Sequence, residues 1–357
     1  YAGIPSLAQQ YLRITEIMYN PAPAPAITAD EQKFEYIELK NISTNVTLSL
    51  SGVQFTKGIT FSFSGSAVTS LAPGQHVLLV HNRAAFAARY GSGMLVAGEF
   101  SGALDNGGET LRLEDAVGEE VLEFAYNDDW YPITDGLGFS LVIVDPLAPW
   151  NTWGEKASWR ASSRLNGSPG TDDPAPPSFA PVLVNEALTH TDLPEIDTIE
   201  LYNPTATNVN LGGWFLTDDF FTPRKYRIPD STTISAGGFL IFTTNQFGAG
   251  ANGFALSEWG EAVYLFSGDA QTNLTGYYHG FDFGAAPNGV SFGRYVDSQG
   301  NDHYVLQATN TLGTTNGLPR VGPLVISEIM YHPPDLAGGV DDVLNEFIRL
   351  QNITATN

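Results

Sequence analysis

The sequence reads as an all-β protein built from tandem β-sandwiches, two complete and the opening of a third. Three observations carry that reading. Short runs rich in Val, Ile, Leu and aromatic residues are broken throughout by Gly, Pro, Asn and Asp, the pattern of strands and turns. The chain holds 37 Gly and 22 Pro, which suits a turn-rich β protein, and helical periodicity is scarce. A set of motifs recurs in one order at unequal spacings, which marks domain-sized repeats with variable loops and not a tight solenoid.

Leu12-Arg13-Ile14-Thr15-Glu16-Ile17-Met18-Tyr19-Asn20-Pro21 opens the first copy and Val182-Leu183-Val184-Asn185-Glu186-Ala187-Leu188-Thr189-His190 the second. Leu324-Val325-Ile326-Ser327-Glu328-Ile329-Met330-Tyr331-His332-Pro333 opens the third. Each copy then has a second strand: Tyr36-Ile37-Glu38-Leu39-Lys40-Asn41, then Thr198-Ile199-Glu200-Leu201-Tyr202-Asn203, then Phe347-Ile348-Arg349-Leu350-Gln351-Asn352. Between the complete copies three more pairs match: Leu71-Ala72-Pro73-Gly74 with Ile234-Ser235-Ala236-Gly237, Gly108-Glu109 with Gly260-Glu261, and Gly138-Phe139-Ser140 with Gly289-Val290-Ser291. The best helical stretch is Arg83 to Tyr90, ended by Gly91. Asp172 to Pro177 is proline-rich and reads as a semi-rigid spacer. The expected organisation is an N-terminal extension over 1–10, sandwich one over 11–173, a linker over 174–181, sandwich two over 182–320, and the start of a third domain over 321–357.

Composition bounds the function. The chain has 357 residues, 43% of them hydrophobic, so it can build real cores. It has no Cys, which excludes disulfides and thiolate metal sites. The formal net charge is -23, with a pI near 4.4. Such a surface repels nucleic acid phosphate and anionic lipid. No apolar run approaches a membrane span, so membrane insertion is not expected. The chain begins at Tyr1 without a Met or a leader, and reads as a processed protein or a piece of a longer one. Two strands cannot close a third sandwich. The expectation is that the native chain continues beyond Asn357 or that another chain supplies the missing strands.

These residues resemble the lamin-tail domain, an immunoglobulin-like sandwich. The motifs that carry the resemblance are the opening Ile/Val-x-Glu-Ile strand, the Ile-Glu-Leu-x-Asn strand, Leu211-Gly212-Gly213-Trp214-Phe215-Leu216-Thr217-Asp218, the Pro-Gly turn before an apolar strand, and Gly-Glu-x-Leu-x-Leu. Val53 stands where the family favours a Trp like Trp214, and Arg349 where Glu is usual. The resemblance implies tandem immunoglobulin-like β-sandwiches of the kind found in bacterial secreted or surface multidomain proteins. There such domains accompany adhesion modules, extracellular nucleases or kinase-like domains. The family's links to DNA and chromatin are not expected here, given the charge.

Strand alternation from Leu12 puts Ile14, Glu16 and Met18 on one face, and the same count groups Glu186 and Glu328 with apolar neighbours. Glu16, Glu186 and Glu328 are therefore read as repeat-equivalent structural acids, buried and hydrogen-bonded. Glu38 and Glu200 alternate with inward Ile and Leu and are read as facing solvent. His190 and His332 each lie four residues after a repeat acid, roughly 13 Å along a strand, too far for one metal ion. Gly289-Val290-Ser291-Phe292-Gly293 matches a nucleophile elbow, but Arg294 to Gly300 reads as strand and turn where a helix is required. Acidic loops such as Asn127-Asp128-Asp129, Asp218-Asp219, Asp297 to Asp302 and Asp341-Asp342 lack the EF-hand pattern and leave room for weak calcium binding at most. Trp150, Trp153 and Trp159 crowd one stretch, as core packing or as a platform for sugars. Asn-x-Ser/Thr occurs at Asn41, Asn45, Asn166, Asn273 and Asn352.

No catalytic, cofactor or metal residues are therefore assigned. The expected function is a non-catalytic extracellular or cell-surface array, structural or adhesive. Its expected partners are proteins, by self-assembly or through neighbouring domains, or an extracellular polymer. The alternative is an accessory module, binding carbohydrate, protein or calcium, of a larger secreted enzyme.

Overall fold

The computed structural model describes residues 3–24, 26–27 and 29–354. The chain start at Tyr1 and the end at Asn357 lie outside the described residues. Two compact units divide the chain: Tyr1–Phe179 with Phe266–Tyr278, and Ala180–Leu265 with His279–Asn357.

The first repeat is a two-sheet sandwich. One sheet has six strands in the order Trp159–Ala161, Leu141–Ile143, Leu12–Met18, Tyr36–Asn41, His76–Val80 and Val96–Glu99. All neighbours are antiparallel except the last pair. A parallel pair needs a crossover, and helix Arg83–Tyr90 supplies it. Asn82 caps the helix, its side chain accepting from Ala85 N–H at 2.9 Å, and Gly91 ends it at φ +88°. The other sheet runs Glu120–Ala125, Thr110–Glu114, Gln54–Lys57, Phe61–Ser62. Leu12, Ile14, Ile17, Leu39, Phe55, Leu111 and Leu113 fill the space between the sheets. Helix Leu7–Tyr11 adds Ala8 to this core, and its Gln9 Nε2 donates to Glu120 O at 2.9 Å. Trp153 and Trp159 belong to the core as well, Trp159 Nε1 donating to Trp153 O at 2.7 Å. Two of the three tryptophans are thus packing residues and offer no sugar platform; Trp150 is exposed.

The second repeat has a five-stranded sheet ordered Phe239–Thr243, Thr198–Tyr202, Leu183–Leu188, Ser291–Val296, Asp302–Leu306. Its four-stranded sheet runs Tyr226–Arg227, Phe215–Thr217, Gly260–Gly268, Leu274–Gly284. The third copy is a two-stranded ribbon, Leu324–Met330 paired with Phe347–Asn352. Ile326, Ile348 and Leu350 on it are exposed.

Each opening strand carries a bulge at the same place. The register shifts between Ile14 and Glu16, between Val184 and Glu186, and between Ile326 and Glu328. A bulge inserts one residue and reverses the alternation beyond it. This corrects the straight alternation read from the sequence. Leu12, Ile14, Ile17 and Tyr19 all enter the inter-sheet core. Met18 turns to the opposite side, where it packs with Tyr36, Leu78, Val80 and Phe86 of the crossover helix. Glu16 goes with Met18, onto the outer face of the sheet.

Candidate functional site

The bulge sets two carboxylates directly opposite each other on that outer face. Glu16 pairs across the strands with Glu38, and Glu186 with Glu200. All four are buried, none more than 1% exposed. This corrects the sequence reading of Glu38 and Glu200. They do point away from the inter-sheet core, but the outer face is not solvent. The closing segment of each repeat folds back over it.

In the first pair, Glu16 Oε1 accepts from Tyr36 Oη at 2.6 Å, from Ser168 N–H at 2.9 Å, and from Ser140 Oγ. Glu38 accepts from Thr15 Oγ1 at 2.6 Å and from Gly170 N–H at 2.7 Å. The bulge residue Thr15 thus gains a role as donor. The second pair repeats the plan. Glu186 accepts from Ser291 Oγ at 2.6 Å, from Thr311 N–H at 3.0 Å and from Thr311 Oγ1 at 2.7 Å. Glu200 accepts from Asn185 Nδ2, on the bulge residue, at 2.7 Å, and from Gly313 N–H. Ser140 corresponds to Ser291, Ser168 to Thr311 and Gly170 to Gly313. Where Tyr36 supplies a hydroxyl in the first repeat, its counterpart Thr198 is short, and Thr311 Oγ1 takes over.

The two closing turns are built alike. Thr171 and Thr314 each donate both the backbone N–H and the hydroxyl to the carbonyl three residues back, at Ser168 and Thr311. Each acid pair therefore works as a clasp. It gathers the backbone N–H groups of a distant turn and ties them to the first two strands. Sequence reasoning missed this turn. The signal was present as a sixth recurring motif, Ser168-Pro169-Gly170-Thr171 and Thr311-Leu312-Gly313-Thr314.

The third copy has the bulge but not the pair. Glu328 stands opposite Arg349 and pairs with it at 2.8 Å, its side chain 40% exposed. Of the three acids singled out in the sequence, Glu16 and Glu186 lie in equivalent buried places, and Glu328 does not. With a cation opposite, one charge neutralises the other.

Burial dominates the electrostatics of the clasps. It raises the Glu16 carboxyl to about 7, against the lowering effect of the bonds from Ser140, Tyr36 and Ser168. Burial raises Glu38 well above the usual carboxylate range, and the facing Glu16 adds to this. Burial likewise lifts Glu200 to about 7, opposed by Gly313 and Asn185 and reinforced by Glu186. A carboxyl whose folded pKa lies above its unfolded value binds its proton more tightly in the folded state. Its contribution is complete below the unfolded value near 4.5 and is lost as pH rises through about 7. Thermal unfolding should accordingly show a higher midpoint at pH 5 than at pH 8. Glu38→Gln should flatten that slope, because the amide carbonyl still accepts from Gly170 while its NH2 donates to Thr15 Oγ1. Calorimetry from pH 5 to pH 8 on both proteins checks this; parallel slopes would contradict it.

The remaining candidates resolve simply. Ser291 is fully buried, and its hydroxyl is spent on Glu186, with strand Ser291–Val296 in place of an elbow and helix. His190 Nε2 pairs with Glu258 at 2.9 Å. His332 comes within reach of Asp335 and Asp341, ligand atoms within 4.8 Å of one another, all three exposed. Asn41 is buried, its amide donating to Val46 O and Leu71 O, so that Asn-x-Ser position is inaccessible to a glycan. Asn203 makes the equivalent bonds to Thr207 O and Ser235 O.

Beside each clasp lies a cleft at the same place in the fold. The first, about 270 Å³, is lined by Lys40, Arg160, Asp172 and Asp173 along with Glu16 and Glu38. Lys40 pairs with Asp172, and Arg160 with Asp173 at 2.5 Å. The second, about 330 Å³, is lined by Tyr202, Phe239, Tyr295, Thr315, Asn316 and others. No arrangement of nucleophile, base and orienting group accompanies either cleft among the described residues.

The family model described as Lamin Tail Domain matches residues 5–128 and 175–279. Both closing turns lie outside those spans. No match was found among curated proteins or among solved structures. The matched spans cover more than half of the chain, and they fall on two repeats with one fold and one clasp: the chain belongs to the lamin tail domain family of immunoglobulin-like, non-catalytic domains.

Proposed function

We propose that the chain is a structural or adhesive array of lamin tail domains, placed in extracellular material or on a cell surface. The observation that carries this is the clasp itself. In both complete repeats the chemically conspicuous groups, two facing acids and a serine, are consumed in fastening the chain to itself. What the repeats then offer outward is a sequence of stable sandwiches with an acidic surface. A net charge of -23 keeps such an array soluble and steers it from nucleic acid. Its partners in this reading are neighbouring domains, further copies, or an extracellular polymer.

Fractionation of the producing cells, probed with an antibody to the chain, tests the placement. The expected result is recovery in the secreted or surface-associated fraction; confinement to the cytosol would overturn it. Ser291→Ala tests the non-catalytic character. The purified chain should hydrolyse simple esters no faster than the variant does, and a rate that vanishes on substitution would contradict the reading.

A further inference from the structure

We propose that the cleft of the second repeat is a binding site for a neutral hexose unit of a polysaccharide. The inference deepens the array reading by giving it a ligand, and it starts from a comparison internal to the chain. The two clefts stand on one frame, beside the same acid pair and the same closing turn, yet their rims differ in kind. Lys40 of the first is replaced by Tyr202, and its cross-strand partner His76 by Phe239. Asp172 and Asp173 are replaced by Thr315 and Asn316, and Val144 by Tyr295.

In the first cleft the rim groups satisfy one another. Lys40 and His76 both bond Asp172, and Arg160 bonds Asp173. In the second, Asn316 is satisfied by Asn185 and by Arg294 O, but the aromatic and hydroxyl groups of the rim do not satisfy one another. Tyr202 and Phe239 stack with ring centroids 4.9 Å apart at 25°, and both remain partly exposed. Tyr295 is 37% exposed. The phenols of Tyr202 and Tyr295 and the hydroxyl of Thr315 make no hydrogen bond among the described residues. The cleft therefore joins aromatic surface to unspent hydroxyls, beside an Asn316 amide already held by Asn185 and by Arg294 O.

A pyranose ring has the complementary character. Its C–H face is apolar and stacks on aromatic rings, and its rim carries hydroxyls that both donate and accept. The volume, about 330 Å³, lies at the small end of ligand sites and suits one ring with its neighbours extending out. Charge selects the neutral sugar. Arg294 is the one cation lining the cleft among the described residues, and Asp302 takes it in two bonds of 2.8 and 2.7 Å. With that cation neutralised and a net charge of -23 on the chain, an acidic sugar is repelled.

Saturation-transfer NMR on the full chain, with cellotetraose and mannotetraose as neutral probes and tetragalacturonate as the acidic one, tests the proposal. Calorimetric titration supplies the affinities. Transfer to at least one neutral probe is expected, and none to tetragalacturonate. Tyr295→Ala and Phe239→Ala should each lower the association constant about tenfold or more, whereas Phe221→Ala, an exposed aromatic outside the cleft, should leave it unchanged. Tyr295 lies at the surface, so its variant should keep the wild-type melting curve even if Phe239→Ala does not. Absence of transfer to both neutral probes, equal binding of tetragalacturonate, or undiminished binding by Tyr295→Ala would overturn the cleft proposal and leave the array reading standing. Release of shorter sugars during incubation would instead overturn the non-catalytic reading.

Discussion

Gly167→Ala is expected to unfold the first repeat under conditions where the wild-type chain stays folded. Gly167 sits at φ +76°, a backbone conformation that costs an L-residue about 1–2 kcal/mol. The larger effect is steric. A Cβ there would overlap Tyr36 Oη and Glu16 Oε1 and lie 2.9 Å from Ser140 Oγ. Those atoms are the clasp, already drawn together around one carboxylate and buried on every side. Moving any of them breaks a hydrogen bond to Glu16. A loss above about 3 kcal/mol is a large share of the 5–15 kcal/mol that a domain has. Gly74→Ala is the control: φ is +70° there and nothing lies within 4 Å of the new Cβ. It should show the backbone penalty alone. Urea denaturation of both variants separates the two terms, and equal losses would contradict the crowding argument.

Glu186→Ala should destabilise the second repeat by about 3 kcal/mol. The substitution removes the acceptor of three donors: Ser291 Oγ, Thr311 N–H and Thr311 Oγ1. A buried donor left without a partner costs about 1–3 kcal/mol. The hydroxyls can turn elsewhere, but the Thr311 N–H cannot. Relief of repulsion on Glu200 offsets a part of the loss. Glu328→Ala, by contrast, removes one exposed ion pair with Arg349 and should cost under about 1 kcal/mol. If the two substitutions gave the same change in denaturation free energy, the distinction between clasp and surface pair would fall.

The range of each interaction decided whether the sequence disclosed it. Strands and their order are local and repeated, so the Ile-x-Glu-Ile and Ile-Glu-Leu-x-Asn runs were legible, as was the helix over Arg83–Tyr90 with its Gly91 stop. The bulge was not. Thr15, Asn185 and Ser327 look like ordinary alternating positions, and only pairing with the neighbouring strand shows the extra residue. The misreading of Glu38 and Glu200 has a second cause. Period two tells which side of a sheet a residue faces, but not what covers that side. The cover is Gly170, 132 positions from Glu38, and Gly313, 113 positions from Glu200. Arg349 stood out in the sequence only as a departure. Its place opposite Glu328 gives the reason, since an ion pair there replaces a pair of facing acids. The clefts were invisible for the same long-range reason: Tyr202, Tyr295 and Thr315 come from three distant segments.

The central claim is that paired acids fasten the closing turn of each complete repeat. Amide hydrogen exchange at Ser168, Gly170, Thr311 and Gly313, tracked residue by residue by NMR, tests it most directly. These four N–H groups sit in turns that have no ladder to protect them, so protection must come from the carboxylates. The expected result is exchange as slow as that of strands Leu12–Met18 and Leu183–Leu188, with protection lost at Thr311 in Glu186→Ala and at Gly313 in Glu200→Ala, and retained at Ser168 and Gly170 in both. Exchange at all four at the rate of an open loop in the wild-type chain would contradict the clasp.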